Sequence, residues 1–365
     1  MRCWAEISLD GIENNYRSLR APLPEGCRFL GVVKADSYGH GAAAVARRLE
    51  SAGADYLAVA FLTEAIQLRE AGVGLPILIL GRTPEMYTRE LIEYGITQSV
   101  PDLASARAYS SEASKLGKSL KCHLKLDSGM GRLGFSAIRG AEERAEAVSL
   151  PLLDFEGAFT HFAVSDMGDE EYTRMQFERF SSAVSETERA SGKKIKIRHC
   201  TNSGAMIKYP WTYSDMVRPG ILLYGYYPCA DRGDIDVRPC MTLKTRVAQI
   251  KDMRAGESVS YGRNWTAARD SKVAVLTVGY ADGLPRCVSG KAKVKIGGAV
   301  VPLVGNICMD MVMADVTDAP HVRVGDEVTV FGGDYEGSLD ALAELAGTIT
   351  YELLCSVSAR VPRIY

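Results

Sequence analysis

An α/β fold, a (β/α)8 barrel of the TIM type followed by a mainly β C-terminal domain, is the class this sequence predicts, and three observations predict it. Over the first two thirds of the chain, short apolar runs alternate with longer amphipathic stretches. Eight such runs fall in roughly 200 residues, about the span a (β/α)8 barrel needs. After about residue 231 the texture changes to β-rich segments divided by glycine turns. At 365 residues the chain also exceeds the usual size of one compact domain. We therefore read 1–231 as the barrel and 232–365 as the mainly β domain.

Taken in order, the barrel strands are expected at 29–34, 55–60, 76–80, 96–100, 120–126, 155–162, 195–200 and 221–224. Apolar residues at helical spacing place helices at 42–52, 63–71, 103–116 and 171–190. A doubly wound open sheet is the structural rival. The count of eight and the lack of a GxGxxG turn favour the barrel. In the second domain, strands are expected at 242–253, 272–278, 292–296, 300–303 and 327–331, then a short helix at 339–346 and a closing strand at 356–364.

Composition narrows the function classes. A net charge of -2, with 47% hydrophobic and 24% charged residues, describes an ordinary globular chain and gives no reason to expect a nucleic-acid or anionic-membrane partner. Its longest apolar runs are far too short to span a bilayer, and the start Met1-Arg2-Cys3-Trp4-Ala5-Glu6 has no signal-peptide core, so a cytoplasmic protein is expected. Nine cysteines with no CxxC or Cys/His spacing read as reduced thiols rather than a disulfide framework or a metal site.

Barrel sites gather at the carboxyl ends of the strands, and polar residues stand at those ends here. Lys34 follows the apolar run Phe29-Leu30-Gly31-Val32-Val33 and opens Lys34-Ala35-Asp36-Ser37-Tyr38-Gly39-His40-Gly41. A desolvated lysine with a lowered pKa is what Schiff-base chemistry requires. The fifth run leads through Lys125 into Asp127-Ser128-Gly129-Met130-Gly131-Arg132, and His161 ends the sixth. The seventh ends at His199-Cys200-Thr201-Asn202-Ser203, and Arg218-Pro219-Gly220-Ile221 leads to the eighth. Asn202-Ser203 before an apolar helix start, beside the glycine of Arg218-Pro219-Gly220-Ile221, offers a phosphate cradle.

Together these motifs resemble the alanine racemase family, from Trp4-Ala5-Glu6-Ile7 to Arg360-Val361-Pro362-Arg363. The resemblance implies pyridoxal 5'-phosphate as cofactor, with Lys34 as its Schiff-base lysine. Tyr38, Ser203, Gly220, Ile221 and Tyr351 match the phosphate contacts. Arg218 is similar to the arginine that faces the pyridine nitrogen, with His161 behind it, and Arg132 to the arginine near the phenolic oxygen and substrate carboxylate. Lys125 matches a lysine often carbamylated. In the β domain, Tyr261 of Ser258-Val259-Ser260-Tyr261-Gly262-Arg263 matches the second catalytic base, which in the family enters the partner's site together with residues matching Cys308, Met309 and Asp310. The backbone at Met309 is the expected carboxylate contact, and Tyr280 resembles a tyrosine of the entry channel. An obligate homodimer with two shared sites follows. One departure stands out: Asn264-Trp265-Thr266 follows Gly262-Arg263 where relatives often have Thr-Tyr or Thr-Phe.

The implied reaction is two-base interconversion of L- and D-alanine, supplying D-alanine for peptidoglycan. Lys34 is expected to act on the D-enantiomer and Tyr261 on the L-enantiomer. The alternatives are a serine racemase of the same family, which the bulk of Tyr351 disfavours, and a non-catalytic pyridoxal-phosphate-binding protein, which the domain after the barrel disfavours. A decarboxylase of similar architecture is disfavoured by Arg218 in place of an acidic partner. A longer membrane-bound version of the chain stays open.

Overall fold

The computed structural model describes residues 1–333, 335 and 338–365. They fall into two compact units. One comprises Ile12–Ser37 and Ala42–Val237; the other comprises Met1–Gly11, Tyr38–Gly41 and Arg238–Tyr365.

The larger unit holds eight parallel strands in barrel order, Arg28–Val32, Tyr56–Val59, Ile77–Ile79, Ile96–Val100, Leu120–Asp127, Leu153–Phe159, Ile197–His199 and Met216–Val217. Residues such as Leu57, Ala58, Leu78, Cys122 and Leu124 are wholly buried, as expected where helices cover a parallel sheet. The last strand pairs with the first, Met216 opposite Arg28 and Val217 opposite Phe29. At the remaining seam the N–H of Asp215 donates to the carbonyl of Arg198 (3.1 Å) and that of Arg218 to Thr201 (2.9 Å), which draws the ring together.

Two expected strands are corrected. The eighth strand is Met216–Val217, whereas Ile221–Tyr224 is a 3-10 turn wholly buried between Gly220 and Gly225. Its apolar run reflects burial, which looks the same for a buried turn as for a buried strand. In the second unit the expected closing strand at 356–364 is mostly not a strand: a helix occupies Thr350–Ser356 and only Arg363–Ile364 pairs.

The smaller unit is built on the strand Met241–Met253. Its first half pairs with Glu327–Phe331 and its second half with Ser271–Leu276. Val312–Asp315, Ala299–Val304 and Lys293–Ile296 complete a closed loop of six strands. Met253, Val259, Ala267, Val273 and Val304 pack inside, with Trp265 and Met313 against them. The N-terminal strand Cys3–Ile7, counted with the barrel above, lies in this sheet. It runs antiparallel to Met241–Thr245 and parallel to Arg363–Ile364.

Candidate active site

Lys34 stands two residues beyond the end of the first barrel strand and opens a turn that L-amino acids rarely make. Ala35, Asp36, Ser37 and Tyr38 have φ between 52 and 55°, four consecutive non-glycine residues in the left-handed region. Each costs about 1–2 kcal/mol against a right-handed turn, so its surroundings must hold it. In the barrel unit, Glu64 accepts the N–H of Ala35 at 2.6 Å and Asp36 accepts that of Ala42 at 2.7 Å.

The loop after the fifth strand is organised by Asp127, whose carboxylate accepts the N–H groups of Gly129 (2.9 Å) and Gly131 (3.1 Å). Gly134 has φ +127°, and a Cβ there would lie 2.8 Å from the backbone nitrogen of Asp127, so only glycine lets the loop fold back on the strand. Arg132 is thereby presented at the surface of this loop. Lys125 is buried, its Nζ donating to the carbonyl of Leu126 and lying 4.8 Å from the centre of the Phe159 ring. Burial, then the charge of Arg218, lowers its ammonium to about 7.

His161 identifies the centre of the cluster. Burial and then the charges of Arg218, Lys125, Arg132 and Lys34 hold its pKa well below the usual histidine range. Four cations from three strand ends, the first, the fifth and the eighth, thus act on one neutral imidazole. Arg218 is itself buried; its Nη2 donates to the carbonyls of Thr160 (2.7 Å) and Cys200 (3.2 Å), and burial lowers its pKa to about 10. The imidazole hydrogen-bonded to Arg218 is His199, with Nη1 3.1 Å from His199 Nδ1, while His161 feels Arg218 as the largest of its neighbouring charges. His199 is on the seventh strand, next to the seam that Arg218 closes, while His161 lies past the end of the sixth.

The residues expected to cradle a phosphate come together. Asn202 caps the helix Ser203–Lys208 by accepting the N–H of Ala205, and the hydroxyl of Ser203 accepts the N–H of Gly220 at 2.9 Å. Helix starts leave their first N–H groups without intrahelical acceptors, so those of Ser203 and Gly204, beside that of Ile221 at the start of the 3-10 turn, suit an anion. These donors, with Lys34 and the guanidinium of Arg218, fit a pyridoxal phosphate.

In the smaller unit, Tyr261 is 72% exposed on a strained turn with Ser260 at φ 67°, Gly262 at 74° and Arg263 at 51°. Asn306 fastens it, donating to the Tyr261 carbonyl at 2.7 Å while its own carbonyl accepts the Ser260 hydroxyl at 2.6 Å. The N–H of Tyr280 donates to Cys308 and that of Ala281 to Met309, which brings Tyr280, Cys308 and Met309 together. Asp310 accepts from Arg360 at 2.6 Å. Tyr38 and Tyr351 also meet in this unit, with ring centres 6.0 Å apart.

Sequence reasoning assigned no role to His199 or His123 and passed over Glu64. His123 was findable, because it lies two residues before Lys125 and so on the same face of one strand.

Fold and site together define a two-domain barrel protein with cationic side chains gathered at the carboxyl ends of its strands. Residues 7–228 match the description "Alanine racemase, N-terminal domain" and residues 240–365 match "Alanine racemase, C-terminal domain". The chain belongs to the alanine racemase family. It is 44% identical to the alanine racemase of Desulfosudis oleivorans, over 99% of this chain and 96% of that one. It is 45% identical to alanine racemase 1 of Clostridium acetobutylicum, over 99% and 95%. The solved alanine racemase of Clostridium difficile 630 superposes with a TM-score of 0.96 at 40% identity, over 100% of this chain and 96% of that one.

Proposed function

We propose that the chain racemises alanine with pyridoxal 5'-phosphate held at the mouth of its barrel, as a cytoplasmic homodimer that supplies D-alanine for peptidoglycan. The observation that carries this reading is the gathering of Lys34, Lys125, Arg132 and Arg218 around His161 at the carboxyl end of the barrel. No helix of the described residues is long and apolar enough to cross a membrane.

When bound, the cofactor withdraws electrons from the substrate Cα and acidifies its hydrogen. The chain's own groups then decide where the proton goes. Lys34 Nζ takes or returns it on one face, serving D-alanine, and the hydroxyl of Tyr261 of the partner subunit does so on the other, serving L-alanine. Arg218 donates to the ring nitrogen and keeps its proton at neutral pH, because even the lowered value of about 10 lies well above 7. An arginine that keeps its proton would leave the bound ring a weaker electron sink. Arg132 and the backbone at Met309 hold the substrate carboxylate, beside Cys308 and Asp310. Ser203, Gly220 and Ile221, with Tyr38 and Tyr351, take the phosphate, and Tyr280 lines the approach.

The exposure of Tyr261, Tyr280, Met309 and Met311 (72, 43, 52 and 47%) supports the dimer, since apolar side chains clustered at a surface mark an interaction site. The test is racemisation of L-alanine and L-serine by the purified chain. Conversion of alanine is expected to dominate. Cofactor binding with neither amino acid converted would replace this reading with a carrier.

A further inference from the structure

We propose that His123 and Glu156 are positioning residues for Arg218, acting through the imidazole of His199. The inference rests on the reading above for what Arg218 does, but the arrangement itself is independent of it.

A guanidinium has donors and no acceptor. The 3.1 Å approach of Arg218 Nη1 to His199 Nδ1 is therefore a bond in which His199 accepts. A neutral ring that accepts at Nδ1 carries its proton at Nε2. His199 Nε2 lies 2.8 Å from His123 Nδ1, so His199 donates there and His123 accepts. The proton of His123 then sits on its own Nε2, which faces Glu156 Oε1 at 3.8 Å. The carboxylate also accepts from the hydroxyls of Tyr56 (2.5 Å) and Thr97 (3.3 Å). Direction is fixed at both hydrogen bonds, from the Arg218 guanidinium to His123, and the Glu156 carboxylate faces the protonated nitrogen at the far end as a charge rather than as a hydrogen-bond acceptor.

The string is fitted into the barrel. Both rings are fully buried. His123 stands opposite Gly157 in the strand register, and a Cβ at Gly157 would come within 2.5–2.7 Å of the His123 ring, so the barrel leaves out a side chain to admit this imidazole. His199 stacks on Phe159 at 5.0 Å and 11°. Protonating His199 at both nitrogens would point an N–H at the Arg218 guanidinium, and burial already opposes the charge. With His123 Nδ1 accepting the proton of His199 Nε2, His199 keeps a lone pair toward Arg218 and holds the guanidinium at one orientation.

The experiment is a long-range 1H–15N spectrum of the five histidines in the cofactor-loaded protein, in the parent and in His123→Phe. In the parent, His123 and His199 are expected as neutral Nε2–H rings from pH 6 to 9. In His123→Phe, a ring of similar volume with no acceptor, His199 is expected to show a mixture of tautomers. The kcat for alanine is expected to fall about tenfold with KM within about twofold, and the visible absorption of the loaded enzyme to shift. His123→Gln, which restores an acceptor oxygen, is expected to recover part of kcat. Unchanged His199 shifts with unchanged kcat in His123→Phe overturn the proposal. If that variant does not fold, the parent spectrum decides, because an Nδ1–H signal from either ring overturns it. A parent with the expected tautomers but no racemase activity would refute the functional reading and leave the string intact.

Discussion

Glu64 grips Ala35, the residue after Lys34, with one carboxylate oxygen at 2.6 Å and the N–H of Ala60 with the other at 2.7 Å. It is the third residue of the helix Leu62–Glu70, so a helix start fastens the left-handed turn that carries the lysine. Glu64→Ala is expected to lower unfolding stability by about 2–4 kcal/mol, the order of two charge-assisted bonds. It should also weaken retention of the cofactor. Glu64→Gln, which keeps one acceptor, should lose less. Thermal melts and cofactor titration of the three proteins check this ordering; equal behaviour of Ala and Gln variants would contradict it.

Lys34→Ala should remove both the visible absorption of the purified protein and its racemase activity. Borohydride treatment of the parent, followed by peptide mapping, should place the cofactor on Lys34. A label on any other lysine would move the site.

Tyr261→Phe should abolish racemisation while leaving cofactor bound and Cα hydrogen exchange from D-alanine largely intact. Mixing Lys34→Ala with Tyr261→Phe chains should restore part of the activity after subunit exchange, since one shared site then holds both bases. Demonstrated exchange without recovery would assign both bases to one chain.

Lys125 sets a pH dependence whose sign can be worked out. Its folded value of about 7 lies below the ordinary 10.5, so between those values the unfolded chain binds more protons and stability rises with pH. The cost of burying the ammonium is felt in full below about pH 7. Lys125→Met should therefore stabilise the protein more at pH 6 than at pH 10, in carbonate-free buffer. Urea melts at the two pH values provide the measurement, and an equal gain at both would show that Lys125 does not titrate in this range.

Tyr351→Asn should raise kcat/KM for serine relative to alanine by about tenfold to two-hundredfold, as expected for about 1–3 kcal/mol of pocket discrimination. The same change should loosen the cofactor. An unchanged ratio would remove Tyr351 from the pocket.

Much of this was legible in the sequence. The strand Ile96–Val100 and the helices Ala42–Ala52, Leu103–Leu116 and Leu339–Ala346 fall where apolar periodicity puts them, because buried faces write themselves into residue spacing. Met216–Val217 did not show, being two residues long, and the apolar run after Gly220 drew attention away from it. The strand Cys3–Ile7 carries no sign in its own residues that its neighbours are Met241–Met253 and Arg363–Ile364. In the site, residue identity and strand-end position led to Lys34 and Ser203, and the family resemblance led to Arg218. They could not say which imidazole meets Arg218, since that depends on which strands become neighbours at the seam.

The N-terminal strand also governs the order in which the protein can be completed. Cys3 is made before the barrel segment, yet its partner Thr245 follows only after the whole of that segment, and Arg363 comes later still. A nascent chain must therefore carry an unpaired strand, with Trp4 and Ile7 uncovered, throughout synthesis of the barrel. Pairings this distant in sequence form slowly, and a waiting strand edge invites association with other chains. The strand Cys3–Ile7 thus needs cover while the barrel is being made, and its deletion would be felt in the β unit rather than in the barrel it precedes.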